Sequence, residues 1–188
     1  LKCDRDYVNL GVPLPFIRRK ALECRHYSDA IRIVATTQKS GANNMILGSS
    51  DGMGINFECA PDESFAIMPD DNGLIVHANH WRHSAALSKL KETGISWSPD
   101  SLYRDFRVRE KLLSEKRLLT TDDLKEAFFD DFGAPFSVCV PPYQDTETDP
   151  GATVAMIVMQ PSVGIMEIAP FPALNKKFKQ YHIDRSKI

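Results

Sequence analysis

Gly73-Leu74-Ile75-Val76-His77-Ala78-Asn79-His80-Trp81 is the stretch on which the reading of this 188-residue chain turns. A turn signal, Asp70-Asp71-Asn72-Gly73, leads into it. The apolar run from Leu74 to Ala78 predicts a buried strand, because β-branched residues suit a pleated, covered surface. Polar residues follow at the strand end, where a rigid sheet can present a side chain to a ligand. Asn79 carries two amide donors and one carbonyl acceptor. Held at a strand end, such a donor can stabilise an oxyanion during acyl transfer. Equally, Asn79 can simply end the strand and bond its own turn. Spacing leaves both readings open.

Working outward, three more short runs precede this one. Asn44 to Gly48 and Gly54 to Cys59 flank the turn signal Ser50-Asp51-Gly52, and Ser64 to Met68 follows Pro61-Asp62. Four runs with short connections predict an antiparallel meander with one face fully buried. Before it, Pro13 and Pro15 stand where a helix tolerates proline, in the first turn. Phe16, Ile17, Ala21 and Leu22 recur at helical spacing, which predicts an amphipathic helix over 14–24. Ser28 is the expected N-cap of a second helix through Ala30, Ile31, Ile33 and Val34.

After the meander, Trp81 to Trp97 shows no clear sheet pattern. Ser98-Pro99-Asp100 then reads as a helix start, with Leu102, Phe106, Arg109 and Leu113 on one face. Thr120 or Thr121 caps a further helix that Gly133-Ala134-Pro135 breaks. Phe136 to Val140 reads as a strand, Gln144 to Pro150 as an acidic loop, and Ala152 to Met159 with Val163 to Ala169 as a hairpin. A basic, aromatic tail follows from Pro170. Helices, a meander, helices and more antiparallel strands make an α+β fold, read as one domain over residues 1–188.

Composition narrows the function. Charged residues are 26% of the chain and the net charge is −2, so electrostatics favour neither nucleic acid nor an anionic membrane as partner. No apolar run approaches the roughly 18 residues a membrane span needs. The four cysteines, Cys3, Cys24, Cys59 and Cys139, are widely spaced and read as buried thiols in a reducing compartment.

Several stretches together resemble the acyl-coenzyme A:6-aminopenicillanic-acid acyltransferase family of cysteine Ntn hydrolases. His77-Ala78-Asn79-His80 is similar to the family's His-Thr-Asn-His, and Asn56-Phe57-Glu58-Cys59-Ala60-Pro61 to its Leu-Glu-(Cys/Phe)-Ser-Pro. Pro135-Phe136-Ser137-Val138-Cys139 resembles its Pro-Phe-Ser-Ile-Cys, Gly151-Ala152-Thr153 its strand entry, and Gly11-Val12-Pro13 its helix entry. The order and spacings are similar across nearly the whole chain.

The resemblance implies a four-layer αββα sandwich, here incomplete at its N-terminal side. It assigns Asn79 to the oxyanion hole and makes His80, Ser101 and Arg104 candidate substrate-binding residues, the arginine as a clamp for a carboxylate. The family's nucleophile is a cysteine that becomes N-terminal after self-cleavage, upstream of the region seen here. An upstream segment or small subunit is therefore an expected partner. Small-molecule amides or acyl-coenzyme A are the expected substrates, with no bound cofactor. The alternative is a non-catalytic fragment or a binding module that reuses the fold.

Four further features bear on the reading. Penicillin-forming members carry Ser-Arg before Gly-Ala-Thr, where this chain has Asp149-Pro150, which favours a broader amide hydrolase or acyltransferase. His77, His80 and His83 raise zinc as a ligand, but that spacing across a strand end does not gather three rings on one face. Ser186-Lys187-Ile188 is one residue from the peroxisomal address Ser-Lys-Leu, so a peroxisomal location is expected. Glu58, beside Cys59 near a strand end, is expected to pair with a neighbouring arginine.

Overall fold

A computed structural model describes residues 1–6, 10–115, 117–144 and 151–183. Asp149-Pro150 and Ser186-Lys187-Ile188 lie outside the described residues. The chain divides into two compact units, Leu1–Leu102 and Tyr103–Ile188. Its mixture of helices with two three-stranded antiparallel sheets is what an α+β fold requires.

The first unit opens with helices α1 (Leu14–Leu22) and α2 (Tyr27–Thr36). Pro13 is the N-cap of α1 and proline stands in its first turn. The cap of α2 is His26 and not the expected Ser28. The His26 carbonyl accepts from the N–H of Asp29 and of Ala30, so the helix is already under way at Ser28. Strands β1 (Asn43–Gly48), β2 (Gly54–Cys59) and β3 (Ser64–Ile67) pair in that order. Met45 faces Phe57, Asn44 faces Glu58, and Glu58 faces Phe65.

Strand alternation then gives the sheet two different faces. Met45, Phe57 and Cys59 meet Ile17 and Val34 of the two helices, forming one apolar core. Asn44, Asn56, Glu58 and Phe65 lie on the opposite face, where Phe65 joins Cys3, Ala60, Trp81, Ala86 and Leu90 in a second core. A short helix α3 (Ser84–Lys89) contributes Ala86 to that cluster.

The expected fourth strand, Leu74 to Ala78, is extended but belongs to neither sheet. It crosses the polar face of β2 instead of pairing along an edge. A Cβ on Gly54 would lie 3.5 Å from Ile75 Cδ1, and His77 meets Glu58. Its apolar run is half-buried by lying over a sheet, and along the sequence such a run reads like one that pairs within a sheet. The Asp70 carboxylate organises the preceding turn by accepting from the N–H of Asn72 and Leu74, and Gly73 supplies a positive φ of 74°.

Helix α4 (Ser101–Ser114) begins at the end of the first unit and runs into the second. Its buried residues are Ser101, Asp105, Val108 and Leu112, whereas Leu102, Phe106 and Leu113 are exposed. The inward stripe is thus one position away from the expected one. Hydrophobicity alone did not reveal it because two of the inward residues are polar.

The second unit continues with α5 (Thr121–Phe128), β4 (Ala155–Gln160), β5 (Ile165–Pro170) and β6 (Lys179–His182). Thr120 is the cap of α5, in a reciprocal capping box with Asp123. The hairpin β4–β5 is as expected, and the tail adds β6 to it. All four β6 residues are exposed, so no burial pattern marked the strand. Met156, Val158 and Ala169 are buried on one sheet face, where Lys125 of α5 pairs with Glu167 at 3.0 Å. Ile157, Met159 and Tyr181 are exposed on the other.

Phe136 to Val140, expected as a strand, forms turns and bends. Local groups satisfy its backbone: the Phe136 N–H donates to the Gly133 carbonyl, the Cys139 N–H to the Asp130 carbonyl, and the Val140 N–H to Thr153 Oγ1. Asp130, itself buried, is held by Arg107 at 2.6 Å and Lys111 at 3.0 Å.

Candidate functional site

Glu58 sits in β2 on the face away from α1 and α2, with a relative exposure of 0%. A carboxylate so buried needs several donors. His77 Nε2 lies 2.7 Å from Oε1, the Arg82 N–H donates to Oε1 at 2.7 Å, and the His83 N–H donates to Oε2 at 3.0 Å. Burial pushes the Glu58 carboxyl up, but the bonds from His77, His83 and Arg82 outweigh it and hold the group below the usual glutamate range. The expected arginine pairing is corrected accordingly: what Arg82 gives Glu58 is its backbone N–H, while its guanidinium donates to the Val76 carbonyl at 2.8 Å.

Asn79 and His80 lie between these anchors, in bends after the extended segment. The Asn79 N–H donates to Ser101 Oγ at 2.7 Å, and His80 Nδ1 is 2.9 Å from the same oxygen. Ser101, at the start of α4, is 1% exposed. Asn79 itself is exposed. Because the backbone here is no longer a strand, Asn79 and His80 are not forced onto opposite faces. The structure therefore brings together three of the four residues singled out in the sequence, Asn79, His80 and Ser101. Arg104 lies one turn further along α4, within the second unit.

The three histidines have separate employments. His77 is turned to Glu58, His80 to Ser101, and His83 caps α3 by accepting from the Ala85 N–H at 3.2 Å. Among the described residues no group of three or more His, Cys, Asp or Glu could hold a metal ion.

None of the four cysteines is in a disulfide, and Cys3, Cys59 and Cys139 are buried. Burial raises all three thiols, Cys3 to about 11. Such thiols are poor sources of a nucleophilic thiolate at neutral pH.

His77 and Glu58 are the site residues that sequence reasoning did not pair. They are 19 positions apart. One signal was available, since Glu58 alternates with Phe57 and so falls on the side of β2 opposite the apolar stripe.

Among the described residues, no helix is long and apolar enough to cross a membrane. A comparison with curated proteins returns no match. The sequence model of the family described as acyl-coenzyme A:6-aminopenicillanic acid acyl-transferase matches residues 4–169, and the chain belongs to that family.

Proposed function

We propose that this chain forms the oxyanion-holding part of an Ntn-type acyltransferase or amidohydrolase. The observation that carries the reading is Asn79, a family-pattern asparagine exposed on a loop whose backbone is pinned to a buried serine. In this reading an upstream cysteine, with its own α-amino group as base, attacks the carbonyl carbon of an amide or of acyl-coenzyme A. Negative charge gathers on the carbonyl oxygen and the Asn79 side-chain N–H holds it. The C–N or C–S bond breaks, the amine or thiol leaves with a proton, and the acyl group rests as a thioester on the cysteine. Water or an acceptor amine then takes it. The raised thiols of Cys3, Cys59 and Cys139 support assigning the nucleophile elsewhere.

The four-layer sandwich belongs to the same proposal. Helices α1 and α2 pack on one face of the first sheet and α5 on one face of the second, and Ile157 and Met159 leave the second with an exposed apolar face. Ser186-Lys187-Ile188 would act as a peroxisomal address only where Ile188 ends the protein.

The second reading is a non-catalytic module that reuses the fold, supported by the lack of the family's arginine before Gly151 together with a nucleophile assigned outside these residues. One experiment separates the two. The full-length protein is assayed with acyl-coenzyme A thioesters and simple amides, alongside Asn79→Ala. Loss of one oxyanion donor is expected to lower kcat about 10²–10³-fold. An unchanged kcat would remove Asn79 from the chemistry, and no turnover by the unaltered protein would favour the module.

A further inference from the structure

Beneath the exposed Asn79 lies a pair of residues that the proposed reaction does not use directly. His77 is held from both sides. Nδ1 is 2.8 Å from the Ala78 carbonyl oxygen, which can only accept, so Nδ1 carries a proton. Nε2 is 2.7 Å from Glu58 Oε1, and the two Glu58 oxygens also receive the backbone N–H groups of Arg82 and His83.

The Ala78 carbonyl and the Asn79 N–H belong to one peptide plane. His77 Nδ1–H holds that plane by its oxygen, and Ser101 Oγ holds it by its hydrogen. Since Ser101 Oγ accepts from Asn79, its own proton is available for His80 Nδ1 at 2.9 Å. One hydrogen-bonded chain thus runs from Glu58 through His77, the Ala78–Asn79 peptide and Ser101 to His80. Glu58 also grips the same loop on its far side, at residues 82 and 83.

We propose that Glu58 and His77 are positioning residues for Asn79: a buried, hydrogen-bonded carboxylate–imidazole pair that fixes the peptide plane immediately before it, and so the direction of its side chain. This rests on the reading of Asn79 as the oxyanion donor. Glu58 reaches no substrate here, because it is fully buried, and acts only through the loop.

The test is a double-mutant cycle in the full-length protein, with Glu58→Gln, Asn79→Ala and the double variant assayed on the same acyl donor. Glu58→Gln is nearly isosteric and keeps an acceptor for one backbone N–H. It is expected to lower kcat 10- to 100-fold with KM within about threefold. The double variant should fall no further than Asn79→Ala alone, since residues acting through one another are not additive. Additive losses, or full activity in Glu58→Gln, would overturn the positioning role. Asn79→Ala without effect would instead remove the oxyanion reading on which it stands. Should Glu58→Gln fail to fold, His77→Gln goes through the same cycle with Asn79→Ala: a kcat loss that does not add to that of Asn79→Ala supports the positioning role, and an additive loss or full activity overturns it.

Discussion

Ser101 shows how much one hydroxyl can organise. It is buried at the first turn of α4, accepts from the Asn79 N–H and lies within bonding distance of His80 Nδ1. Removing it strips a partner from a backbone donor and from a ring nitrogen at once, and unmade buried hydrogen bonds cost about 1–3 kcal/mol. Ser101→Ala is expected to destabilise the protein by that order in urea unfolding and to lower acyl turnover, because the loop bearing Asn79 loses one of its two holds. A Ser101→Ala protein with wild-type stability and turnover would show that the contact is incidental. At this scale the sequence was informative about residue identity. Asn79, His80 and Ser101 were singled out from the chain and do meet. It was silent about Glu58 and His77 as a pair, because nothing local reports that a carboxylate and an imidazole 19 positions apart share a proton.

For the helices and strands, binary pattern succeeded where burial follows polarity and failed where it does not. The first meander strands and the β4–β5 hairpin were legible, since turn residues and apolar runs coincide there. In α4 the pattern pointed to Leu102, Phe106 and Leu113, yet Val108 and Leu112 go inward with Ser101 and Asp105. The two stripes make opposite predictions. Leu112→Ala should cost about 2–5 kcal/mol by leaving a cavity. Leu113→Ala, on the exposed side, should change stability by no more than about 0.5 kcal/mol. Chemical unfolding of both variants checks this, and the reverse order would restore the sequence-based stripe. The Leu74–Ala78 segment failed for a different reason. A short apolar run after a turn suits lying over a sheet as well as pairing within one, so the same sequence serves either.

Across the whole molecule, a buried carboxylate in each unit is held by donors: Glu58 by His77 and two backbone N–H groups, Asp130 by Arg107 and Lys111. In both, burial pushes the carboxyl up and the hydrogen bonds more than offset it, leaving the folded pKa below the ordinary value. A group shifted in this direction stabilises the fold fully above its unfolded pKa, near 4, and that stability is lost as pH falls through the lower folded value. Stability to urea should therefore fall as pH drops below about 4.5, where the unfolded chain begins to take up these protons first. Asp130→Asn should flatten that acid limb, because the group no longer titrates. An acid limb unchanged in Asp130→Asn would show that the carboxylate carries no such linkage.

The sequence by itself determined the family, the α+β class and the order of most elements, and it singled out Asn79. These follow from local spacing, turn chemistry and motif order, all of which lie along the chain. Only the tertiary structure decided that residues 74–78 lie over β2, which stripe of α4 is buried, and that Glu58 and His77 stand behind Asn79. The physical reason is common to all three. A buried polar group is stable only where its partners are, and those partners come from β2, the segment between β3 and α3, and the first turn of α4, which are brought together by packing and by no local rule of the chain.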